Sequence, residues 1–430
     1  MEYLLITICD INLHFFNGWN SLMKMKYCPI IGLFLLLLHY PFNVAAQTEG
    51  KRYQTDYRLD SVRTNSLYLN VDNLFFFKNN EFNGTVMKGY TLPGAWINPK
   101  FVYQPLPSLK MEGGVYMLVY DGAYKYPNYA YQDISQWKGK HYQNGTHLLP
   151  YFRGQLNLGK FNLVLGNIYG GSNHRLMLPL YNPELNLTSD PETGFQVLYD
   201  SPHFHLDTWI NWQSFIFEVD THQEAFIAGL SSEVKFNSPQ SKLHWYVPVQ
   251  VVAQHRGGEQ DVGGSVETFI NGAVGLGMLW NVGDSGLRKL NWELSMLGYY
   301  RQKGSLWPFK KGMGFYSNVK ADFKYWSVQT GAFACDNFIS LLGNPHFGAV
   351  STKHQGGYYD KRPFTGFLIA DYSRTYAKIY SFGIKGELYY QWSDKLVYDE
   401  PLESDKGKNV GVSLGVYLRL NLDFLLKRFK

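Results

Sequence analysis

Between Val412 and Phe424 the chain alternates without a break. Val412, Leu414, Val416, Leu418, Leu420, Leu422 and Phe424 fall on one parity; Ser413, Gly415, Tyr417, Arg419, Asn421 and Asp423 fall on the other. Period two over this length cannot form a helical stripe and gives a strand with one apolar and one polar face. Strands of soluble sheets usually run about 5–6 residues. The length here suits the roughly 9–11 tilted residues with which a β-strand crosses a bilayer.

The pattern recurs. Leu109, Met111, Val115, Met117 and Val119 oppose Lys110, Glu112, Gly114, Tyr116 and Tyr120. Leu243, Trp245, Val247, Val249 and Val251 oppose His244, Tyr246, Gln250 and Gln254. Sixteen such segments are predicted: 66–77, 90–103, 109–120, 147–158, 161–168, 194–200, 203–217, 223–236, 243–254, 266–280, 290–301, 313–324, 326–336, 364–373, 379–392 and 410–424. Their connections alternate in length. Gly159-Lys160, Asp200-Ser201-Pro202, 237–241 and 374–378 are short; 121–146, 169–193, 302–312, 337–363 and 393–409 are long. Short periplasmic turns and long outer loops are the habit of outer-membrane barrels. The predicted fold is therefore all-β: a single transmembrane antiparallel β-barrel of about 16 strands (14–18), with both termini in the periplasm.

Composition agrees. Aromatic residues make up 17% of the 430 residues and charged residues 17%, below the roughly 25% charged of soluble domains. The net charge of +5 is small and evenly spread, so no nucleic-acid partner is expected. Lys24 and Lys26, the apolar run Ile30 to Leu38 and the small residues Val44-Ala45-Ala46 before Gln47 read as a cleaved secretory leader. The expected division is a signal peptide over 1–46 (1–22 being an upstream extension), a periplasmic segment over 47–65 and the barrel over 66–430. Cys335 is then the lone mature cysteine, so no internal disulfide forms.

Together the leader, the alternating segments and the final strand resemble a Gram-negative porin-like outer-membrane β-barrel. Gly166-Asn167-Ile168-Tyr169-Gly170-Gly171 and Tyr181-Asn182-Pro183-Glu184 look like stretches of such a barrel family. The resemblance implies a fold and an address, not an activity. The final strand departs from the usual pattern, since its phase breaks at Leu425 and the chain ends Phe429-Lys430.

With the apolar parity outward, the expected pore lining is Arg153, Gln155, Asn157, Glu267, Glu293, Arg301, Lys320, Asp322, Lys324, Lys385, Glu387, Arg419 and Asp423. One Arg or Lys facing lipid at mid-depth would cost about 2–4 kcal/mol, which rules out the reversed register. Tyr124, Tyr126, Tyr129, Tyr131, Trp137 and Tyr142 gather in one long loop, where aromatic faces suit sugar rings or the membrane interface. His203, His205 and Asp207 share a face and could hold a transition metal, but they follow a tight turn at the wet rim, where unligated polar residues are normal. Neither a metal nor a cofactor is expected. Ser and His are scattered without a local hydrolase motif, so the chain is expected not to be an enzyme. The leading expectation is a channel for small hydrophilic solutes, plausibly saccharides, with outer-membrane lipid as surroundings. A plugged barrel that engages polysaccharide, and a barrel hydrolase acting on lipid or surface glycan, are the alternatives. Oligomeric state stays open.

Overall fold

The computed structural model describes residues 53–430 apart from 88, 121–144, 216–222, 259–264, 284–285, 352–358, 361, 378, 393–395 and 398–407. The expected leader and the six loop aromatics between Tyr124 and Tyr142 lie outside the described residues.

Sixteen strands close into one antiparallel barrel. They are β1 (Ser66–Asn83), β2 (Tyr90–Leu106), β3 (Leu109–Tyr120), β4 (Gly145–Leu158), β5 (Phe161–Asn167), β6 (Thr193–Asp200), β7 (Phe204–Ser214) and β8 (Ala225–Lys235). The second half holds β9 (Leu243–Arg256), β10 (Glu267–Asn281), β11 (Lys289–Lys303), β12 (Lys311–Asp322), β13 (Trp326–Asp336), β14 (Phe364–Tyr376), β15 (Tyr380–Trp392) and β16 (Lys408–Arg428). Each strand pairs with its sequence neighbour, and β1 closes the ring on β16 from Ser66↔Arg428 to Asn83↔Val410. All sixteen predicted segments become strands. Closure satisfies the backbone in hydrocarbon, where lipid offers no partner.

The outward parity is apolar on every side: Phe75, Phe101, Met111, Phe152, Leu165, Met296, Phe315, Leu368 and Leu414 are all exposed. With short turns at one end and long connections at the other, this is an outer-membrane protein. The phase break at Leu425 has a local cause. The register against β1 shifts between Leu67 and Tyr68, where Leu67 faces Lys427 and Tyr68 faces Leu425. A β-bulge thus absorbs the break and the strand runs on to Arg428.

Inside, the barrel is partly filled. Sixteen strands leave room for water, but two long connections turn inward and pack there. Met177 and Leu180 of the 168–192 segment and Phe338, Ile339, Leu341 and Phe347 of the 337–363 connection join inward Phe269, Leu297, Tyr299, Tyr316, Phe333, Phe367 and Tyr389 in one apolar core. A second cluster joins Leu185 and Leu187 to Leu74, Leu92, Leu118 and Tyr151. Glu184 fastens the first segment to the wall: it takes Lys78 Nζ at 2.7 Å, Asn80 Nδ2 at 3.2 Å and the Tyr90 hydroxyl. From the periplasmic end, residues 53–57 also reach inward. Tyr53 packs edge-on to Tyr417, and the Tyr57 carbonyl accepts from Gln155 Nε2 at 2.6 Å.

Candidate functional site

β5 has 7 residues and β6 has 8, against 14 in β4 and 11 in β7. The reason begins at Gly166, whose backbone adopts φ +90 and where a Cβ would stand 2.5 Å from the Phe152 carbonyl oxygen. That conformation suits glycine alone. One residue on, Asn167 stops the ladder: its Oδ1 accepts from Phe152 N at 2.7 Å and its Nδ2 donates to Thr193 Oγ1 at 2.8 Å. The chain then leaves the wall and turns into the lumen until Thr193, whose N–H is held by Asn211 Oδ1 at 3.0 Å.

This inward segment carries the polar centre. His174 ends a short 3-10 turn (Gly171–His174) and stacks on Trp209 of β7 at 3.5 Å between ring centroids. Its Nδ1 meets Asp207 Oδ2 at 2.8 Å and its Nε2 meets Glu192 Oε2 at 3.0 Å. Burial alone would push this imidazole toward neutrality, but the two carboxylates outweigh burial and hold its pKa at about 9. His174 is therefore an imidazolium at neutral pH, with both ring N–H groups donating. Glu192 is held below the usual carboxylate range despite its burial, by His174 and by the Gly171 N–H. Asp207 also accepts from Gln196 Nε2 at 2.8 Å.

Beside it stands a second imidazole–carboxylate pair. His147 of β4 is buried, and its Nδ1 lies 2.8 Å from Asp190 Oδ1. Asp190 and Glu192, two residues apart, line one cavity of about 440 Å³ together with His174, while His147 stands behind Asp190, outside that lining. The rest of that cavity is mostly apolar, with Leu149, Leu176, Leu185, Trp209, Trp212, Ile227 and Leu342 in its walls. Trp212 Nε1 and Gln213 Oε1, on the same lining, have no hydrogen-bond partner among the described residues. An apolar chamber with a few convergent polar groups is the usual form of a ligand site, and its volume lies within the usual range of about 300–1,000 Å³.

A second cavity of about 470 Å³, toward the periplasmic end, is lined by charge: Asp72, Lys100, Lys110, Glu112, Arg153 and Arg419. The two chambers share the stretch from Ser189 to Glu192 as a partition.

The residues expected to line a pore are distributed differently. Arg419 is locked by two bonds to Asp72 at 2.8 and 2.9 Å, and Arg153 reaches Glu112 at 3.4 Å and the Ile168 carbonyl at 3.0 Å. Gln155 is held by Tyr169 and Tyr57, while Asn157 bonds across the 159–160 turn. Lys385 meets Glu387 at 2.9 Å, and Glu387 also takes Lys78. Glu267 caps the amides of Ser305 and Leu306, Arg301 donates to the Trp307 carbonyl, and Glu293 contacts the Tyr246 hydroxyl at 3.5 Å. Asp423 pairs with Arg63 at 2.7 Å. Lys320 and Asp322 lie 3.9 Å apart, but β12 ends at Asp322. Lys324 is therefore not a strand position: the chain turns there, and its ammonium rests over the Tyr325 ring at 5.1 Å. His203, His205 and Asp207 do not converge. His203 is exposed in the turn, His205 is buried and Asp207 is committed to His174. Sequence reasoning missed His147, Asp190, Glu192 and the role of Asp207, because Asp190 and Glu192 lie on the inward segment and meet strand residues His147 and Asp207 only where that segment folds back. Pro150 is the signal that was available. A proline in mid-strand belongs at a sheet edge, and it marks where β4 loses a neighbour.

Fold and site thus define an outer-membrane barrel with an apolar chamber inside its wall. The sequence matches the Lipid A 3'-O-deacylase-type family over residues 59–429, and the chain belongs to that family. Membership overturns the expectation that the chain is not an enzyme, since the family is one of enzymes. The physical reason is that the imidazoles and carboxylates meet only after the strands close and the 168–192 segment folds inward. Among solved structures, the barrel is similar to OccK5 (OpdH) of Pseudomonas aeruginosa, with TM-score 0.45 and 9% identity over 84% of this chain and 99% of that one. It is also similar to the outer membrane protein OprD of Pseudomonas aeruginosa, with TM-score 0.44 and 9% identity over 90% and 99%. OccAB3 of Acinetobacter baumannii gives TM-score 0.44 and 11% identity over 83% and 99%. No protein of curated function matches the sequence.

Proposed function

We propose that the barrel hydrolyses an ester-linked acyl chain of an outer-leaflet glycolipid of the lipid A class, within the 440 Å³ chamber. The observation that carries this reading is the junction of an apolar chamber with the His174–Glu192 pair and the His147-bound Asp190 carboxylate at its polar side. Family membership supports the same substrate class. His174 is unsuited as the base, because both of its nitrogens already donate. The His147–Asp190 pair is suited: Asp190 lines the chamber, and His147 Nδ1, 2.8 Å behind it, positions the carboxylate. In the proposed step Asp190, backed by His147, takes a proton from water while the water oxygen bonds to the acyl carbon. The carbon–oxygen bond to the sugar then breaks, and the same proton passes to the leaving alkoxide. The products are a free fatty acid and a sugar hydroxyl.

The test uses refolded barrel, lipopolysaccharide and mass spectrometry of the lipid. Wild type should remove one acyl chain, and Asp190→Asn should lose about 10²–10⁴-fold in rate, the usual worth of a general base. Heat-modifiable gel mobility checks that the variant still folds. Wild type that folds and leaves every acyl chain in place refutes the proposal.

The thin partition between the chambers favours a second reading, passage of small hydrophilic solutes, saccharides among them, if residues 189–192 move aside. Sixteen-strand barrels are the size class of outer-membrane pores, and single-channel current in a planar bilayer tests this reading.

A further inference from the structure

The chamber is not enclosed by the barrel wall, and the wall itself shows why. β4 pairs with β5 only from Arg153↔Gly166 downward, and β7 pairs with β6 only from Asn211↔Gly194 downward. Above those points β4 keeps β3 on its other side, from Tyr120↔Gly145 onward, and β7 keeps β8. Among the described residues no strand joins β4 to β7 there. Neighbouring strands lie about 4.8 Å apart, so the loss of two strands separates the flanks by about 14 Å. The β7 flank, Trp212–Ser214, is described over about 10 Å, and the β4 flank, Gly145–Tyr151 without a partner on its β5 side, is about 23 Å long at 3.3 Å per residue. Tilted at roughly 35–45°, the β4 flank spans about one leaflet of a hydrocarbon core some 30 Å thick.

Both flanks are built for lipid. Leu148 is 66% exposed on the outer face, Phe152 54% and Phe215 59%. Phe152 N points to the Asn167 cap on the β5 side, so positions of the same parity direct their backbone into the notch. Pro150 has that parity and brings no N–H to leave unsatisfied. Most telling, one chamber touches both faces of the wall: outward Pro150 and Phe152 line it together with inward Leu149 and Ile227. Because the turn at Gly159-Lys160 is periplasmic, the notch lies in the half of the barrel that faces the outer leaflet.

We infer that the chamber is reached sideways from the outer leaflet, through the notch between β4 and β7, and that the occupant is a fatty acyl chain of a membrane lipid. The chain would slide in past Pro150 and Phe152 with its carbonyl end toward Trp212, Gln213 and the Asp190 carboxylate. This inference rests on the deacylase reading for the chemistry, but the path can be tested without it. Purified barrel is reconstituted in phosphatidylethanolamine vesicles doped with a phosphatidylcholine that carries a diazirine near the end of one chain. After illumination, peptide mass spectrometry maps the adducts. Inward adducts at Leu149, Leu176 or Ile227 are expected beside outward ones, and Ile227→Trp, which fills the chamber, should lower the inward ones several-fold. Adducts confined to outward positions overturn the inference, as does inward labelling that Ile227→Trp leaves unchanged in a folded barrel. The two proposals fail separately. Inward labelling that persists in Asp190→Asn, with no acyl release by wild type, sinks the hydrolase and keeps the path. Acyl release by wild type with only outward labelling does the reverse.

Discussion

His174 is the residue on which the interior polar centre depends. Its ring is buried, stacked on Trp209 and charged, and two carboxylates make that charge tolerable. Because its pKa in the fold is about 9 against an ordinary value near 6.5, its contribution to stability is complete below about pH 6.5. The contribution is lost as pH rises through about 9. Unfolding midpoints of the refolded barrel should therefore fall between about pH 6.5 and about pH 9, and His174→Gln should flatten that fall. A wild-type midpoint that does not change across this window would show that the imidazole is not held as a cation. Removing one partner of a buried pair typically costs about 3–5 kcal/mol, so Asp207→Leu should destabilise the barrel by about that much. Nothing local in the sequence announces this centre. His174 lies on an irregular segment and Asp207 on a strand 33 residues away, and only the inward fold of the segment brings them together.

At the level of the strand, alternation made the architecture legible. All sixteen strands and the outward parity could be read because lipid imposes a strict period of two on whatever faces it. The interior obeys no such rule. Inward positions carry Phe269, Phe333 and Phe367 as readily as Lys385 and Glu387, because a packed segment, not water, meets them. The two faces of β16 should accordingly respond to substitution in different ways. Leu418→Arg should impair assembly by about 2–4 kcal/mol, the cost of a cation in hydrocarbon. Arg419→Leu is also damaging, since it strands buried Asp72 without its bidentate partner. The two differ in rescue. Adding Asp72→Leu to Arg419→Leu should restore most of the lost stability, whereas no second change on the inner face repairs Leu418→Arg. Urea midpoints of the single and double variants decide it, and failure of that rescue would mean the pair is not what makes Arg419 necessary.

For the whole molecule, the plug decides between chamber and channel. Wild type is expected to show little current, because the two inward connections occupy the lumen. Replacing residues 169–192 by a short turn should widen the path and raise single-channel conductance several-fold in the same planar bilayer. If wild type already conducts as freely as the shortened barrel, the packed interior is not an obstacle and the solute-passage reading gains.

The seam between β1 and β16 sets the order in which such a molecule can be made. Ser66 and Arg428 are direct neighbours across it, although almost the entire barrel lies between them in sequence. Contacts of such separation are the slowest to form, since the entropy of closing the intervening loop must be met before the ladder contributes anything. Until the last residues arrive, β1 and β15 each carry an open edge, which in hydrocarbon cannot be tolerated and in water invites aggregation. The nascent chain must therefore be kept from inserting piecemeal, and its final strand acts as the commitment step of biogenesis.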